Sequence, residues 1–406
     1  MNGDGVGERA PVAIALGGLI ALAAAIGIGR FVYTPILPPM VAALALSKSE
    51  AGLIASANFF GYLTGALAAS FALPRGRERL AMLTALALSA ATTMAMAAPT
   101  SLAALLLLRF IGGVASAFVL VLATGLVLDR LTRVGRADLS DWHFGGVGAG
   151  IAASAVLVSA VSAAGGDWRM LWFGAGALAA LGLVLVIWLL PEGSASTAPR
   201  SERQPPSDAL ASERRRFVLA YGLFGFGYVI TATFLVAIVR GDPAMRAIEP
   251  AIWVIVGLTA VPSVAVWGRI GRRIGIGKAF AIACIVEAVG ILGCLWPGGI
   301  GGAVLAALVL GATMMGITAL GLMGARDLDP ERAQRSVALM TAAFGLGQII
   351  GPFVAGLTID RTGGYGAAMT IAATALLVAA AAVPRAGMAA PRAGTAGAGA
   401  MSGNPE

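Results

Sequence analysis

The sequence is poor in charge. Asp, Glu, Lys and Arg make up 12% of its 406 residues, whereas apolar residues make up 58%. Soluble domains carry about 25% charged residues, so the composition excludes a soluble globular enzyme. The formal net charge of +8 does not indicate nucleic acid as a partner, because in so apolar a chain basic residues are expected in the loops that orient a protein in a bilayer.

Histidine and cysteine are nearly absent, which removes most of the side chains that metal sites and catalysis require. The chain has one histidine, His143, and two cysteines, Cys284 and Cys294. A lone histidine with no carboxylate pair or cysteine cluster beside it cannot complete a zinc site. The cysteines share one predicted helix, about 15 Å apart at 1.5 Å per residue, so they cannot form a disulfide with each other. We therefore expect no metal, no cofactor and no enzymatic activity.

Long apolar runs are what the chain does contain. About 20 apolar residues cross the 30 Å hydrocarbon core of a bilayer, and the sequence predicts twelve such spans. They are residues 12–32, 51–73, 80–98, 102–126, 144–164 and 171–190, then 217–239, 251–267, 279–296, 303–323, 337–359 and 367–383. The first run is long enough to span and follows acidic residues, which is not the pattern of a cleavable signal.

The runs fall into two groups of six. We predict an N-terminal six-helix half at 1–190, a cytoplasmic linker at 191–216, and a C-terminal six-helix half at 217–384. Residues 385–406 are rich in Ala, Gly and Pro and are predicted to be a disordered cytoplasmic tail. The linker composition of Ser, Pro, Ala and charge is also typical of segments without fixed structure.

Loop charge predicts the orientation. With both termini in the cytoplasm, the outer side holds only Lys48, Arg169, Arg240, Arg246 and Arg361 of the 28 Lys and Arg residues. Arg30 and Arg109 lie inside spans, and all the others fall on the inner side. This asymmetry is the one that the positive-inside rule requires.

The segment from Gly27 to Met40 reads G-I-G-R-F-V-Y-T-P-I-L-P-P-M and places a permanent charge, Arg30, inside the first span. Such a charge costs roughly 2.5–3.5 kcal/mol on insertion scales and usually faces a bundle interior or a water-filled path. Tyr33 follows at i+3, so the guanidinium and the phenol are expected to point at one spot. Three prolines, at 35, 38 and 39, are expected to prevent a plain helical continuation. The alternative is that Arg30 reaches the outer interface and Tyr33 is an interfacial aromatic.

The two halves resemble each other. At an offset of about 200 residues, Gly27, Gly29, Arg30, Phe144 and Gly145 align with Gly225, Gly227, Tyr228, Phe344 and Gly345. Parallel six-helix repeats are typical of transporters with a site between the halves. Tyr228 and Thr231, the repeat partners of Arg30 and Tyr33, could line that site from the second half. Polar residues in membrane helices more often stabilise packing.

Other polar residues inside predicted spans are also candidates. Asn58 and Tyr62 lie four residues apart and could form a polar helix face. Glu287 is the only carboxylate deep in a predicted span, and an intramembrane acid can carry protons. Arg109 lies about eight residues into the fourth span. One interpretation is that it is a structural charge that binds carbonyls of a neighbouring helix.

Several motifs together resemble the major facilitator superfamily, over all twelve predicted helices. Arg109, Gly112, Gly113 and Ala117 are similar to that superfamily's helix-4 arginine motif, and Gly268, Arg269, Gly271, Arg272 and Arg273 resemble its basic loop motif. The first-half copy of the loop motif, with Arg75, Arg77 and Arg79, lacks the usual aspartate. Asp167-Trp168-Arg169 resembles another frequent turn. The 27–40 segment and Y-G-L-F-G-F-G-Y-V-I-T-A-T-F-L at 221–235 resemble the YbfB/YjiJ-like branch.

The resemblance implies an all-α integral membrane protein of twelve transmembrane helices in two pseudo-symmetric bundles. It implies a coupling or anion-binding role for Arg109 and a conformational gating role for Gly268, Arg269, Arg272 and Arg273. It also implies that Glu287 lies on a peripheral helix, remote from both intramembrane arginines.

The leading hypothesis is therefore a secondary active transporter of a small organic solute, such as an organic anion, in the bacterial inner membrane. It would work by alternating access, coupled to protons, as a multi-pass monomer with both termini in the cytoplasm. Its partners are a small-molecule substrate and the lipid bilayer. ATP is excluded as the energy source because the glycine-rich stretches lack the Lys-Ser/Thr of a phosphate loop. The alternatives are an efflux pump for amphipathic compounds, or a receptor or lipid-handling protein on the same fold.

Overall fold

The computed structural model describes residues 4–69, 76–190, 211–295, 299–328 and 333–384. Within these ranges the chain is helical and has no β-strand. The α-helices are α1 (Asp4–Leu22), α2 (Tyr33–Leu44), α3 (Lys48–Ala69), α4 (Glu78–Ala95), α5 (Leu102–Arg133), α6 (Ser140–Ala163), α7 (Trp168–Leu189), α8 (Ala211–Gly241), α9 (Glu249–Ala260), α10 (Ser263–Ile274), α11 (Ile276–Gly293), α12 (Ile300–Leu328), α13 (Ala333–Thr362) and α14 (Gly366–Ala382). The predicted tail and most of the predicted linker lie outside the described residues.

The all-helical membrane architecture is confirmed. Nine helical segments of the described residues are long and apolar enough to cross a membrane, and the bent pair α9–α10 makes a tenth. Helix α14 is a shorter apolar helix of 17 residues. The count of twelve spans stays a prediction, although each predicted span has a helix or a helix pair at its place.

The first predicted span is interrupted at the Arg30 segment. Residues Ala23–Ile28 form a π-helix, in which the amides of Gly29 and Phe31 reach back five residues to Ala24 and Ile26. A turn follows, and α2 begins at Tyr33. Insertions of this kind often occur at functional sites and change the direction in which side chains point.

The expectation that Pro35, Pro38 and Pro39 prevent a helical continuation is wrong. Helix α2 continues to Leu44 with Pro38 and Pro39 inside it. The upstream turn places Pro35 in the first helical turn, where amide groups have no intrahelical partner. Burial of Ile36 and Met40 stabilises the rest of α2 against the hydrogen bonds lost at the other two prolines.

The prediction that the basic residues 268–273 form a loop is also wrong. These residues form the last turns of α10, and Gly275, with φ +94°, is the connection to α11. Only glycine adopts that backbone conformation without strain, so the glycine ends the helix directly after the arginines. The eighth span itself is bent by 45° between α9 and α10, where Pro262 removes a backbone donor.

The C-terminal end of the predicted linker is helical. Helix α8 begins at Ala211, so Arg214, Arg215 and Arg216 lie in its first two turns rather than in a loop. Ala, Glu and Arg favour helix, and the long apolar part of α8 that follows supplies the nucleus from which the helix extends.

The helices of each half pack mainly with one another, and a few pairs join the halves. Helix α3 packs against α13, α6 against α9, and α2 against α8. Close contacts at glycine bring these pairs together: a Cβ at Gly52 would lie 2.1 Å from the carbonyl oxygen of Pro352, and one at Gly148 would lie 2.5 Å from the amide of Val261.

Candidate functional site

Arg30 lies in the turn before α2 with its side chain buried, at 6% exposure. Its guanidinium carbon is 4.4 Å from the ring centroids of both Phe59 and Tyr62 on α3. Such contacts stabilise a desolvated cation by about 2 kcal/mol. The Nε and Nη2 atoms, however, have no hydrogen-bond partner among the described residues. A buried donor without a partner is costly, so the guanidinium retains directional binding capacity.

The second half contains two buried polar groups that are hydrogen-bonded to each other, Tyr228 and Gln348. Tyr228, on α8, is 1% exposed, and its hydroxyl accepts a hydrogen bond from Nε2 of Gln348 on α13. The other amide atom, Oε1 of Gln348, has no partner among the described residues. Tyr62 lies on α3 and Gln348 on α13, two helices that pack against each other across the halves, and we call Arg30, Tyr62, Tyr228 and Gln348 the interface cluster.

Tyr33 does not join the interface cluster. Its hydroxyl donates to the carbonyl of Ala51 at 2.7 Å, and its ring centroid is 5.0 Å from the guanidinium carbon of Arg109. The expectation of one shared spot for Arg30 and Tyr33 is therefore wrong. The i,i+3 rule requires a continuous helix, and the turn before Tyr33 interrupts it.

Arg109 makes the contacts of a structural charge. Its Nη1 and Nη2 atoms donate to the carbonyls of Gly29 and Arg30, both at 3.1 Å. These carbonyls belong to the interrupted segment, where regular helical hydrogen bonds are missing, so the guanidinium supplies the donors that the backbone lacks. Asn58 donates in turn to the carbonyl of Arg109 at 2.9 Å. Asn58 and Arg109 thus hold the segment that carries Arg30, as the structural alternative for Arg109 requires.

Thr231 and Glu287 lie inside the C-terminal half. Thr231 is fully buried, and its hydroxyl contacts the sulfur of Met369 on α14 at 3.8 Å. Glu287 on α11 is fully buried as well; its Oε2 accepts from Thr313 at 2.9 Å, and its Oε1 has no partner among the described residues. Its position relative to the intramembrane arginines therefore stays as the sequence predicts it.

The described residues contain no group of three or more His, Cys, Asp and Glu side chains that could hold a metal ion. Cys284 is buried and Cys294 is half-buried, and neither forms a disulfide. The chemistry of the interface cluster is that of ligand binding: one cation, two phenols and one carboxamide.

Comparison with known proteins agrees with this architecture. A family model described as "Uncharacterised MFS-type transporter YbfB" matches residues 22–384. The chain belongs to this family of major facilitator transporters. No curated protein sequence matches the chain.

Several solved transporter structures share the fold. The nucleoside transporter NupG is 17% identical, with a TM-score of 0.67 over 92% of this chain and 98% of NupG. The human organic anion transporter MFSD10 (TETRAN) is 18% identical, with a TM-score of 0.62 over 93% and 99% of the two chains. A bacterial homolog of the human lysosomal transporter Spinster, in an inward-facing and occupied conformation, is 16% identical, with a TM-score of 0.65 over 92% and 95%. At these identities the likeness concerns the fold alone.

The two halves also contact each other where α3 begins and α13 ends. The charge pattern predicts that this end of the bundle faces the outside of the cell. The backbone amides of Lys48 and Ser49 donate to the carboxylate of Asp360, at 3.0 and 2.8 Å. A Cβ at Gly356 would lie 2.3 Å from the carbonyl oxygen of Lys48. Closer to the Arg30 segment, Thr34 donates to the carbonyl of Ala232 at 2.6 Å. The two halves are therefore in close contact from this end of the bundle to the depth of α2.

Sequence reasoning missed Gln348 and the aromatic residues beside it. Gln348 stands inside an apolar predicted span, and a carboxamide there was an available signal. Phe344 stacks on Tyr228 with an interplanar angle of 4° and centroids 5.8 Å apart, and it also stacks on Tyr221 and Phe224. Three of these rings lie on one face of α8, which the helical spacing of 221, 224 and 228 predicts, but nothing in the sequence indicated that Phe344 completes the group.

Proposed function

We propose that this protein is a secondary active transporter of a small organic anion, for instance a carboxylate, in the bacterial inner membrane. The observation that carries the proposal is the buried Arg30 guanidinium, two nitrogen atoms of which have no hydrogen-bond partner among the described residues. A planar guanidinium binds a carboxylate through two parallel hydrogen bonds. An anionic ligand would therefore relieve the cost of the buried charge and gain direction from it.

The surroundings of Arg30 favour an external anion over an internal partner. None of the ion pairs among the described residues includes Arg30. Arg109, the other intramembrane arginine, already donates to two backbone carbonyls. Aromatic faces stabilise Arg30 without neutralising it, so its charge remains available to a ligand.

Tyr228 and Gln348 support a site that both halves share. The Oε1 atom of Gln348 and the hydroxyl of Tyr228 offer hydrogen bonds to the part of a substrate that faces away from Arg30. A ligand that binds both halves at once can hold them together in one state, and alternating access would rock residues 1–190 against 217–384 around it. Tyr33, Thr231 and Asn58 stay in the proposal as residues that position the helices around the site.

Proton coupling is proposed for Glu287. The unpartnered Oε1 of this fully buried carboxyl group would be uncompensated when ionised, which favours binding of a proton. The basic residues of α10, Arg269, Arg272 and Arg273, are proposed to control the conformational cycle, since they lie at the end of the helix that follows the bend.

A thermal-shift screen of the purified protein tests the substrate class. A panel of mono- and dicarboxylates, sugars and cationic drugs separates the anion proposal from an efflux pump for amphipathic compounds. A ligand that binds the folded state raises the free energy of unfolding by RT ln(1 + [L]/Kd), and the unfolding temperature rises with it. Stabilisation by one class of carboxylates supports the proposal, whereas stabilisation by sugars or cationic drugs alone contradicts it. Uptake of the ligand into proteoliposomes, with and without a pH gradient, then distinguishes a transporter from a receptor.

A further inference from the structure

A groove runs between α8 and α13 on the outer surface of the bundle, with a volume of about 560 Å³. Its floor is formed where the two helices touch without side chains: a Cβ at Gly347 would lie 2.1 Å from the carbonyl oxygen of Gly222. Its walls are large apolar side chains that remain exposed, Leu219 at 57%, Leu346 at 53% and Ile350 at 49%. The groove is therefore apolar, open to the side and separate from the interface cluster.

One end of the groove is basic. Arg214 and Arg215, in the first turn of α8, line it together with the apolar residues. Along α8 the lining continues to Phe226, which is about 18 Å further at 1.5 Å per residue. Half of a 30 Å hydrocarbon core is about 15 Å, so the groove is about as long as one leaflet is thick, with its two guanidinium groups at one end.

We propose that this groove binds one anionic phospholipid. An acyl chain lies along the floor between Leu219 and Ile350, and the phosphate of the headgroup accepts hydrogen bonds from Arg214 and Arg215. The apolar walls alone would accept any lipid, but two guanidinium groups at the headgroup end select a negative charge. The groove lies between α8, which carries Tyr228, and α13, which carries Gln348. A bound lipid therefore stabilises the helix pair that holds Tyr228 and Gln348 together.

The test is native mass spectrometry of the full-length protein in detergent, with phosphatidylglycerol and phosphatidylcholine of identical acyl chains. The wild type should retain one phosphatidylglycerol per protein and bind phosphatidylcholine more weakly. Each basic residue near a membrane surface attracts anionic lipid. The double variant Arg214→Gln/Arg215→Gln loses two of them and should bind phosphatidylglycerol about 30-fold more weakly. Its affinity for phosphatidylcholine should be unchanged.

The double variant Arg272→Gln/Arg273→Gln is the matched control, since it removes the same charge from exposed positions at the end of α10. It should retain phosphatidylglycerol within about twofold of the wild type. Ala343→Leu, which places a larger side chain on the groove floor, should weaken both lipids. Equal binding of the two lipids to the wild type would overturn the proposal, as would an equal loss in the control variant or unchanged binding in Ala343→Leu.

Discussion

At the scale of single residues, two buried charges of the same kind have different surroundings. Both have aromatic neighbours. Among the described residues, Arg109 donates to two backbone carbonyls and leaves Nε unpartnered, whereas Arg30 leaves both Nε and Nη2 unpartnered. Guanidinium groups are suited to both situations because they present several donors in one plane. The contrast is the reason that we propose a structural role for Arg109 and ligand binding for Arg30.

Glu287→Gln tests proton coupling at this scale. The amide keeps the size of the side chain and a hydrogen bond with Thr313 but cannot exchange a proton. We expect accumulation driven by a pH gradient to fall at least tenfold, while exchange of internal for external substrate continues within about threefold. Proteoliposome uptake and counterflow measure the two activities.

The matched control is Glu249→Gln, which changes an acid that pairs with Arg240 near the end of α8. This variant should keep gradient-driven accumulation within about twofold of the wild type. Wild-type accumulation by Glu287→Gln would exclude this carboxyl group as the proton carrier.

At the scale of helices, close approach at glycine decides which elements touch. Helix α6 meets α1 where a Cβ at Gly146 would lie 2.1 Å from the carbonyl oxygen of Leu19. Gly146→Ala should therefore destabilise the protein by about 1–3 kcal/mol, because the two helices must separate. Thermal unfolding in detergent measures the change.

Gly125→Ala is the control, because no atom lies within 4 Å of a Cβ at that position in α5. Alanine is favoured over glycine inside a helix by about 1 kcal/mol, so this variant should be as stable as the wild type or more so. If the two variants lowered the unfolding temperature equally, glycine packing would not explain the α1–α6 contact.

The end of α10 is proposed to act on the conformational cycle and not on ligand affinity. Arg272 is exposed in the last turn of this helix, next to Gly275 and beyond the bend at Pro262. We expect Arg272→Ala to lower the transport rate and to leave substrate affinity within about threefold, since a charge at a screened surface contributes little to a distant site. Equilibrium binding beside initial-rate uptake separates the two effects; a large loss of affinity with normal turnover would contradict the assignment.

The sequence predicted helices and a shared interface well, because apolar runs and loop charge report directly on burial in lipid. It could not predict the interruption at 29–32. The interruption depends on tertiary contacts, here the hydrogen bonds from Arg109 to the carbonyls of Gly29 and Arg30. The residues around Arg30, taken alone, have the pattern of one continuous apolar helix. For the same reason the expectation that Tyr33 shares a spot with Arg30 was wrong. The position of Tyr228 opposite Arg30, which rests on the repeat, stays a prediction.

At the scale of the whole molecule, orientation follows from the asymmetry of loop charge. Ala137, in the connection between α5 and α6, is predicted to face the cytoplasm, and Ala244, in the connection between α8 and α9, to face outward. Both positions are exposed. In a background with Cys284 and Cys294 replaced by alanine, an impermeant thiol reagent added to intact cells should label Ala244→Cys and not Ala137→Cys. The reverse pattern would invert the topology.

The central claim is that Arg30 binds the anionic group of the substrate, and the most direct measurement is the ligand-dependent thermal shift of its variants. Without ligand, Arg30→Gln should unfold at or above the wild-type temperature, because removal of an uncompensated buried charge is neutral or stabilising. The affinity of Arg30→Gln for the carboxylate identified by the screen should be at least 30-fold lower than that of the wild type. The affinity of Arg30→Lys should be about tenfold lower, because lysine keeps the charge but loses the planar fork. Arg240→Gln, which removes a peripheral arginine, should bind as the wild type does. An Arg30→Gln protein that binds the carboxylate with wild-type affinity would contradict the account.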